Sequence, residues 1–280
     1  MAMPLTAGLI TAYHEDGYLF LPGFFDREMI AHVRVNARED AVLDDASFGR
    51  SDGEGGTVRL SLWNHPTDTI YGAIARSSSL VGAIEQLLGE EVYHYHSKMI
   101  MKDARTGGAW AWHQDYGYWY QNGALRPDLC SAFIAIDPCT LENGCLQVIR
   151  GSHHLGRLDH QASGEQAAID PERLEAIRQR LETRHVLMEP GDLLLFHPNT
   201  LHRSDQNTSD NPRWSMICCY NAASNSPYKE SHHPGYTRLH RIRDEDIMHY
   251  AGRRFSQSDR DSLMTAEADR SVEALQGVTR

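Results

Sequence analysis

The pattern of apolar and polar positions changes once along the chain: the first ninety residues favour helical spacing, and the rest breaks into short apolar runs. Residues 5–20 read as a helix running into "DGYLFLPGFF", where Gly17, Pro22 and Gly23 bracket a short apolar strand. "DREMIAHVRVNARED" opens on Asp26, a good N-cap residue, and predicts a second helix. The stretch 50–60, "RSDGEGGTVRL", holds three glycines and no apolar period, so it reads as a mobile loop or a lid that orders over a ligand. "SSSLVGAIEQLLG" (77–89) predicts a further helix, with serine at its start and Gly89 as its stop.

From Glu91 the runs become short, β-branched or aromatic: "EVYHYHSKMIMK", "CSAFIAID", "GCLQVIRGSH", "RHVLMEPGDLLLFH" and "RWSMICCYNAA". Strands at that spacing suggest a sandwich or jelly roll. One helix interrupts them, from Asp170 with Pro171 at its first position. The last 30 residues are polar and read as helical or loose. With no internal repeat, the expectation is one domain over 1–280: a helical part to about 90, a strand-rich core over 91–225 and an extension from 226.

Composition narrows the partners. Lys+Arg 27 against Asp+Glu 38 gives a net charge of −11, which repels phosphate backbones and argues against nucleic acid. No apolar run approaches the roughly 20 residues of a membrane helix, and no basic segment precedes the first apolar run. The five cysteines include no CxxC pair, and Cys218 and Cys219 would point to opposite strand faces. Reduced cysteine in a cytoplasmic protein is the expectation. A small-molecule substrate fits this chain better than a macromolecule, and nothing marks an oligomeric state.

The chemistry concentrates in "GGAWAWHQDYGYWYQNG" (107–123). In a strand, residues i and i+2 share a face, so His113 and Asp115 would aim an imidazole and a carboxylate at one point, with Gln114 turned away. On the same reading Tyr116 and Tyr118 share a face that Trp119 does not. A third ligand must come from a distant strand, and "GDLLLFHPNTLHRSDQNTSDNPRWSM" (191–216) offers His197 and His202. Two histidines and one carboxylate on one side of a metal form the facial triad of non-heme Fe(II) oxygenases. Ser204 lies two positions past His202, and Arg213 begins the next strand. A guanidinium grips a carboxylate through two parallel hydrogen bonds, as an oxygenase consuming 2-oxoglutarate requires. His94 and His96 would share a face with Lys98 and Lys102 and border the pocket.

Together "WHQD", "ENGCLQVIRGSHHLG", "PGDLLLFH" and "LHRSDQNTSDNPR", in that order, resemble the phytanoyl-CoA dioxygenase (PhyH) family of Fe(II)/2-oxoglutarate oxygenases, ectoine hydroxylase-like members included. The resemblance runs from about residue 10 to 225. It implies a mainly β fold with flanking helices around a double-stranded β-helix, the cupin-like jelly roll. It implies iron on His113, Asp115 and His202, and 2-oxoglutarate held by Arg213 with Ser204 and a lysine, Lys102 or Lys98. It places Trp119 against the substrate, with Tyr116 a second candidate there. Halogenating relatives lack the carboxylate, so Asp115 argues for an oxygenase that combines O2 with a C–H bond, most simply a hydroxylase. Two rivals remain at this stage: an acyl-CoA hydroxylase of the same family, and a metal-binding cupin-like protein that performs no oxidation.

Overall fold

The computed structural model describes residues 4–270 apart from Glu54 and Gly164. Residues 271–280, part of the C-terminal segment expected to be helical or loose, lie outside the described residues.

Helix α1 (Ala7–Asp16) starts at Thr6, whose hydroxyl accepts from Leu9 N, and stops at Gly17 with φ 82°. A Cβ on Gly17 would meet His153 Nδ1 at 2.4 Å, so both the left-handed backbone and the space require glycine. The Gly17 carbonyl accepts from His197 N at 2.9 Å and Thr200 Oγ1 at 2.7 Å, which fastens the N-terminus to the turn preceding His202. The chain continues through β1 (Tyr18–Leu21), α2 (Arg27–Glu39), α3 (Ala41–Asp45), β2 (Phe48–Ser51), β3 (Thr57–Trp63), α4 (Ile70–Ala75) and α5 (Ser78–Leu88). Then come β4 (Val92–Lys102), β5 (Trp110–His113), α6 (Asp115–Gln121), β6 (Leu129–Ala135), β7 (Leu146–Ile149), β8 (His160–Ser163) and β9 (Gln166–Ile169). α7 (Pro171–Arg178), β10 (Thr183–Val186), β11 (Leu193–Phe196), β12 (His202–Ser204) and β13 (Arg213–Ala222) complete the frame.

A seven-stranded antiparallel sheet runs β1-β11-β6-β13-β4-β3-β2, and a four-stranded sheet runs β10-β7-β12-β5. Period-two alternation sorts side chains between two apolar layers. Along β13, Trp214, Met216, Cys218 and Tyr220 pack outward against helix residues such as Val33 and Ile84. Ile217 and Cys219 point inward, joining Phe133, Leu146 and Val148 between the two sheets. Two antiparallel sheets closed over one core form a double-stranded β-helix, with α1, α2, α4 and α5 supplying residues to the outer layer.

Three local expectations give way. Residues 50–60 are no free loop: β2 and β3 form a hairpin whose tip carries Gly53 and Gly55 at φ 78° and 98°, and it adds two strands to the sheet. The N-terminal part therefore supplies three strands beside its helices. His94 and His96 do not share a face. The β13 partners step from Cys219↔His96 to Tyr220↔His94, leaving Tyr95 as the extra residue of a bulge. His94 turns to the outer layer, within hydrogen-bond distance of Ser97 Oγ at 2.7 Å, while His96, Lys98 and Lys102 face inward. The run after His113 is a helix, not a strand, with consequences described below.

Candidate functional site

Strand β12 lies between β7 and β5 in the smaller sheet, and its register places His202 directly opposite His113. β5 ends at His113. Asp115 opens α6, so its carboxylate arrives from a helix start rather than from a continuing strand face. Gln114 fixes that corner. Its side chain is fully buried, donates to the carbonyls of Gly156 and Asn199 at 2.8 Å each, and accepts from Leu158 N at 2.8 Å.

The result is a compact donor set. One ligand atom from each of His113, Asp115 and His202 lies within 4.8 Å of the others, and all three residues are buried. Each histidine Nε2 stands 3.8 Å from Asp115 Oδ1. The Nδ1 atoms face backbone carbonyls, Ala111 at 2.8 Å for His113 and Thr200 at 3.0 Å for His202. That contact keeps the proton on Nδ1 and leaves the Nε2 lone pairs for a metal. Burial pushes both imidazoles below their ordinary pKa, and for His113 the neighbouring His202 adds to the effect. Neutral imidazoles are what a metal needs. His197 stands elsewhere, with its ring 5.3 Å from that of His153.

Ser131, on β6, is a residue that sequence reasoning did not single out. Its hydroxyl donates to Asp115 Oδ2 at 2.7 Å and so turns Oδ1 toward the histidines. Partners of this kind commonly change metal affinity about 10–100-fold. Ser131→Ala is accordingly expected to weaken Fe(II) binding about tenfold with the fold intact, as checked by anaerobic iron titration beside thermal melting.

Beside the donor set, a cavity with about 440 Å³ of empty space is lined by Lys98, Lys102, Trp110, Ser204 and Arg213 among others. Arg213 and Lys102 are direct cross-strand partners on β13 and β4, and both are buried. The Arg213 guanidinium donates to Ser215 Oγ at 3.1 Å and Gly144 O at 2.9 Å, while its Nε has no partner. Lys102 Nζ donates to the backbone carbonyl of Asp205. Burial and the Arg213 charge push the Lys102 ammonium well below the usual lysine range. A buried guanidinium with an idle N–H, flanked by the Lys102 amine, forms a ready seat for a carboxylate.

A second cavity adjoins the first, sharing Lys98, Trp110 and His113, with about 570 Å³ of empty space that is partly open to solvent. Here the helical course of α6 matters. Asp115, Tyr118 and Trp119 stand at i, i+3 and i+4, one helix face, and all three line this cavity. The strand reading had paired Tyr116 with Tyr118. Instead Tyr116 turns away, and its hydroxyl donates to Ala124 O at 3.2 Å. The remaining wall includes Arg50, Leu60, Leu62, His96, Glu165, His233 and Asp269, most of which the sequence did not mark.

Fold and donor set together define a class: jelly-roll non-heme iron dioxygenases that use 2-oxoglutarate. The residues fit both groups, through three convergent donors for iron and a buried, partly unpaired arginine for the acid. Residues 13–215 match the family model described as Phytanoyl-CoA dioxygenase (PhyH), and the chain belongs to that family. It is a 2-oxoglutarate-dependent non-heme iron dioxygenase. It is 31% identical to L-proline trans-4-hydroxylase of Streptomyces griseoviridis, over 80% of this chain and 91% of that protein. Ectoine dioxygenase of Halomonas elongata is 29% identical over 81% of this chain and 74% of its own. The crystal structure of EctD from S. alaskensis with 2-oxoglutarate and 5-hydroxyectoine superposes with a TM-score of 0.73 at 24% identity, covering 86% of this chain and 89% of that one. The structure of EctD from S. alaskensis with bound Fe gives a TM-score of 0.68 at 26% identity, covering 81% of this chain and 80% of that one. Family membership removes the non-oxidative rival. No helix among the described residues is long and apolar enough to cross a membrane.

Proposed function

We propose that this chain hydroxylates an unactivated C–H bond of a small polar metabolite, an amino acid or a betaine-like compound, with release of succinate and CO2. His113, Asp115 and His202 would hold Fe(II). Arg213, assisted by Ser204 and Lys102, would hold the far carboxylate of 2-oxoglutarate. Iron, 2-oxoglutarate and O2 supply the oxidising chemistry, and the protein supplies placement and exclusion of water. The observation that carries the reading is the buried Arg213, which lines the cavity beside the three donors and whose Nε has no partner. Lys102 is preferred to Lys98 because it lines only the Arg213 cavity, whereas Lys98 lines both. Trp119 would bound the substrate, and Tyr116, turned out of the cavity, is withdrawn from that role.

Two similarities favour a compact polar substrate, since the relatives named above are a proline hydroxylase and ectoine dioxygenases. The five described cysteines are all free and buried, which supports a reducing compartment such as the cytoplasm. Single-domain organisation is supported by β1, β2 and β3, which the N-terminal part contributes to the larger sheet of the core.

The test is succinate release across L-proline, L-pipecolate, ectoine, glycine betaine, phosphonates and acyl-CoA thioesters. A zwitterion should raise release at least about tenfold above the substrate-free rate, equivalent to about 1.4 kcal/mol. Stimulation by acyl-CoA alone would overturn the substrate class and leave the iron and 2-oxoglutarate assignment standing.

A further inference from the structure

The second cavity has a charge pattern that the iron chemistry does not use. Apart from Asp115, its ionic side chains are Arg50, Lys98, Glu165 and Asp269, two cations and two anions. Arg50 stands opposite Val58 in the β2–β3 hairpin, so it shares the inward face of the edge strand. Its guanidinium lies 4.9 Å from the Phe48 ring centroid, and its Nη2 meets Asp269 Oδ2 at 2.9 Å. The two side chains are only 15% and 9% exposed, so this is a sheltered pair.

Asp269 arrives from the far end of the described chain. Met264 N donates to Leu62 O at 2.8 Å, and Leu263 bridges Trp63, which lays the tail against β3. Asp269 Oδ1 also faces His232 Nε2 at 3.8 Å. The hairpin is braced on its other side by Glu165, whose Oε2 accepts from Ser51 N at 2.8 Å. Two sequence-remote segments thus bring opposite charges to one wall, facing a cavity whose other surfaces include Trp110, Tyr118, Trp119, Leu60 and Leu62.

We propose that Arg50 grips the carboxylate of a small zwitterionic substrate and that Asp269 takes its cationic nitrogen, the present ion pair exchanging partners as the substrate enters. The inference rests on the hydroxylase reading of the same site. A zwitterion brings one charge of each sign to a wall whose ionic side chains sum to zero, so no buried charge is left uncompensated. A guanidinium matches a carboxylate with two parallel bonds, which fixes orientation as well as affinity. The apolar part of such a molecule then lies against Trp119 and Tyr118, on the helix face that also carries Asp115. A thioester of CoA would bring several phosphate charges to this wall and meet a deficit of cations.

The test uses full-length protein with Fe(II) and 2-oxoglutarate under anaerobic conditions, where the weak visible charge-transfer band reports cosubstrate binding and its perturbation reports substrate. The probe is the zwitterion from the panel above that most accelerates succinate release, beside its carboxamide. Arg50→Gln is expected to raise the dissociation constant of the zwitterion at least about thirtyfold while the band and the 2-oxoglutarate affinity stay as in wild type. It should also narrow the preference for the acid over the carboxamide. Arg50→Lys should fall between, because an ammonium keeps the charge and loses the fork. Asp269→Asn should weaken acid and carboxamide equally, by about tenfold. An unchanged zwitterion affinity in Arg50→Gln overturns the inference, as does loss of the band together with the affinity. If no zwitterion stimulates wild-type turnover and acyl-CoA does, the substrate reading beneath it falls as well.

Discussion

His202→Ala is expected to lower coupled turnover more than about a thousandfold, a loss of about 4 kcal/mol in transition-state stabilisation. His202 stands opposite His113 on paired strands and completes a donor set that spans no more than 4.8 Å. Removing it leaves His113 and Asp115 as a two-toothed site, too weak to hold iron at micromolar concentration and too open to orient it. His113→Ala and Asp115→Ala should fall equally far. The losses should not add in the double variants, because the three side chains act as one unit. Anaerobic iron titration with succinate release measures both halves of the effect. Thermal melts of the metal-free proteins show whether a variant has lost its fold rather than its metal, because each side chain also holds a hydrogen bond within the protein. Full activity in any of the three would strike that residue from the ligand set.

Arg213→Ala is expected to raise the KM for 2-oxoglutarate about a hundredfold, about 3 kcal/mol for a buried bidentate pair, with a smaller fall in kcat. The guanidinium is held in place before any ligand arrives: Gly144 O and Ser215 Oγ accept from it, Phe133 lies 5.8 Å beneath, and Lys102 flanks it across the strand pair. Little side-chain entropy remains to be lost when a carboxylate binds. Arg213→Lys should recover part of the loss, as a point charge without the fork. Kinetics with 2-oxoglutarate varied at saturating iron separate this outcome from a defect in metal loading. An unchanged KM would move the cosubstrate seat elsewhere.

The parts of this protein that could be read from sequence are those carried by local order. The strands after Glu91 stand out as continuous apolar or aromatic runs because both faces of β4, β6 and β13 are buried, and Cys218 and Cys219 do part to opposite layers. His113, Asp115, His202 and Arg213 stood out through their order along the chain, and the structure brings them around one pair of cavities. Other features were illegible for physical reasons. α6 is seven residues long, four of them aromatics that favour strands, and its N-cap Gln114 makes no side-chain capping bond. Its helical state follows from the turn that buried Gln114 pins through three hydrogen bonds. The β2–β3 hairpin hides behind its glycines, whose positive φ values form the tip, so Arg50 looked like a loop residue. The bulge at Tyr95 is set by pairing with β13, which no local pattern in β4 announces. Asp269 reaches the cavity only because the tail folds back onto β3.

Adding 2-oxoglutarate to the anaerobic Fe(II)-loaded protein, in wild type and in His202→Ala, tests the central claim with no knowledge of the substrate. The account requires a weak visible band in wild type that saturates with one equivalent of bound 2-oxoglutarate and is absent from the variant. A wild-type protein that binds iron yet gives no band, or a His202→Ala variant whose band equals wild type, would contradict it.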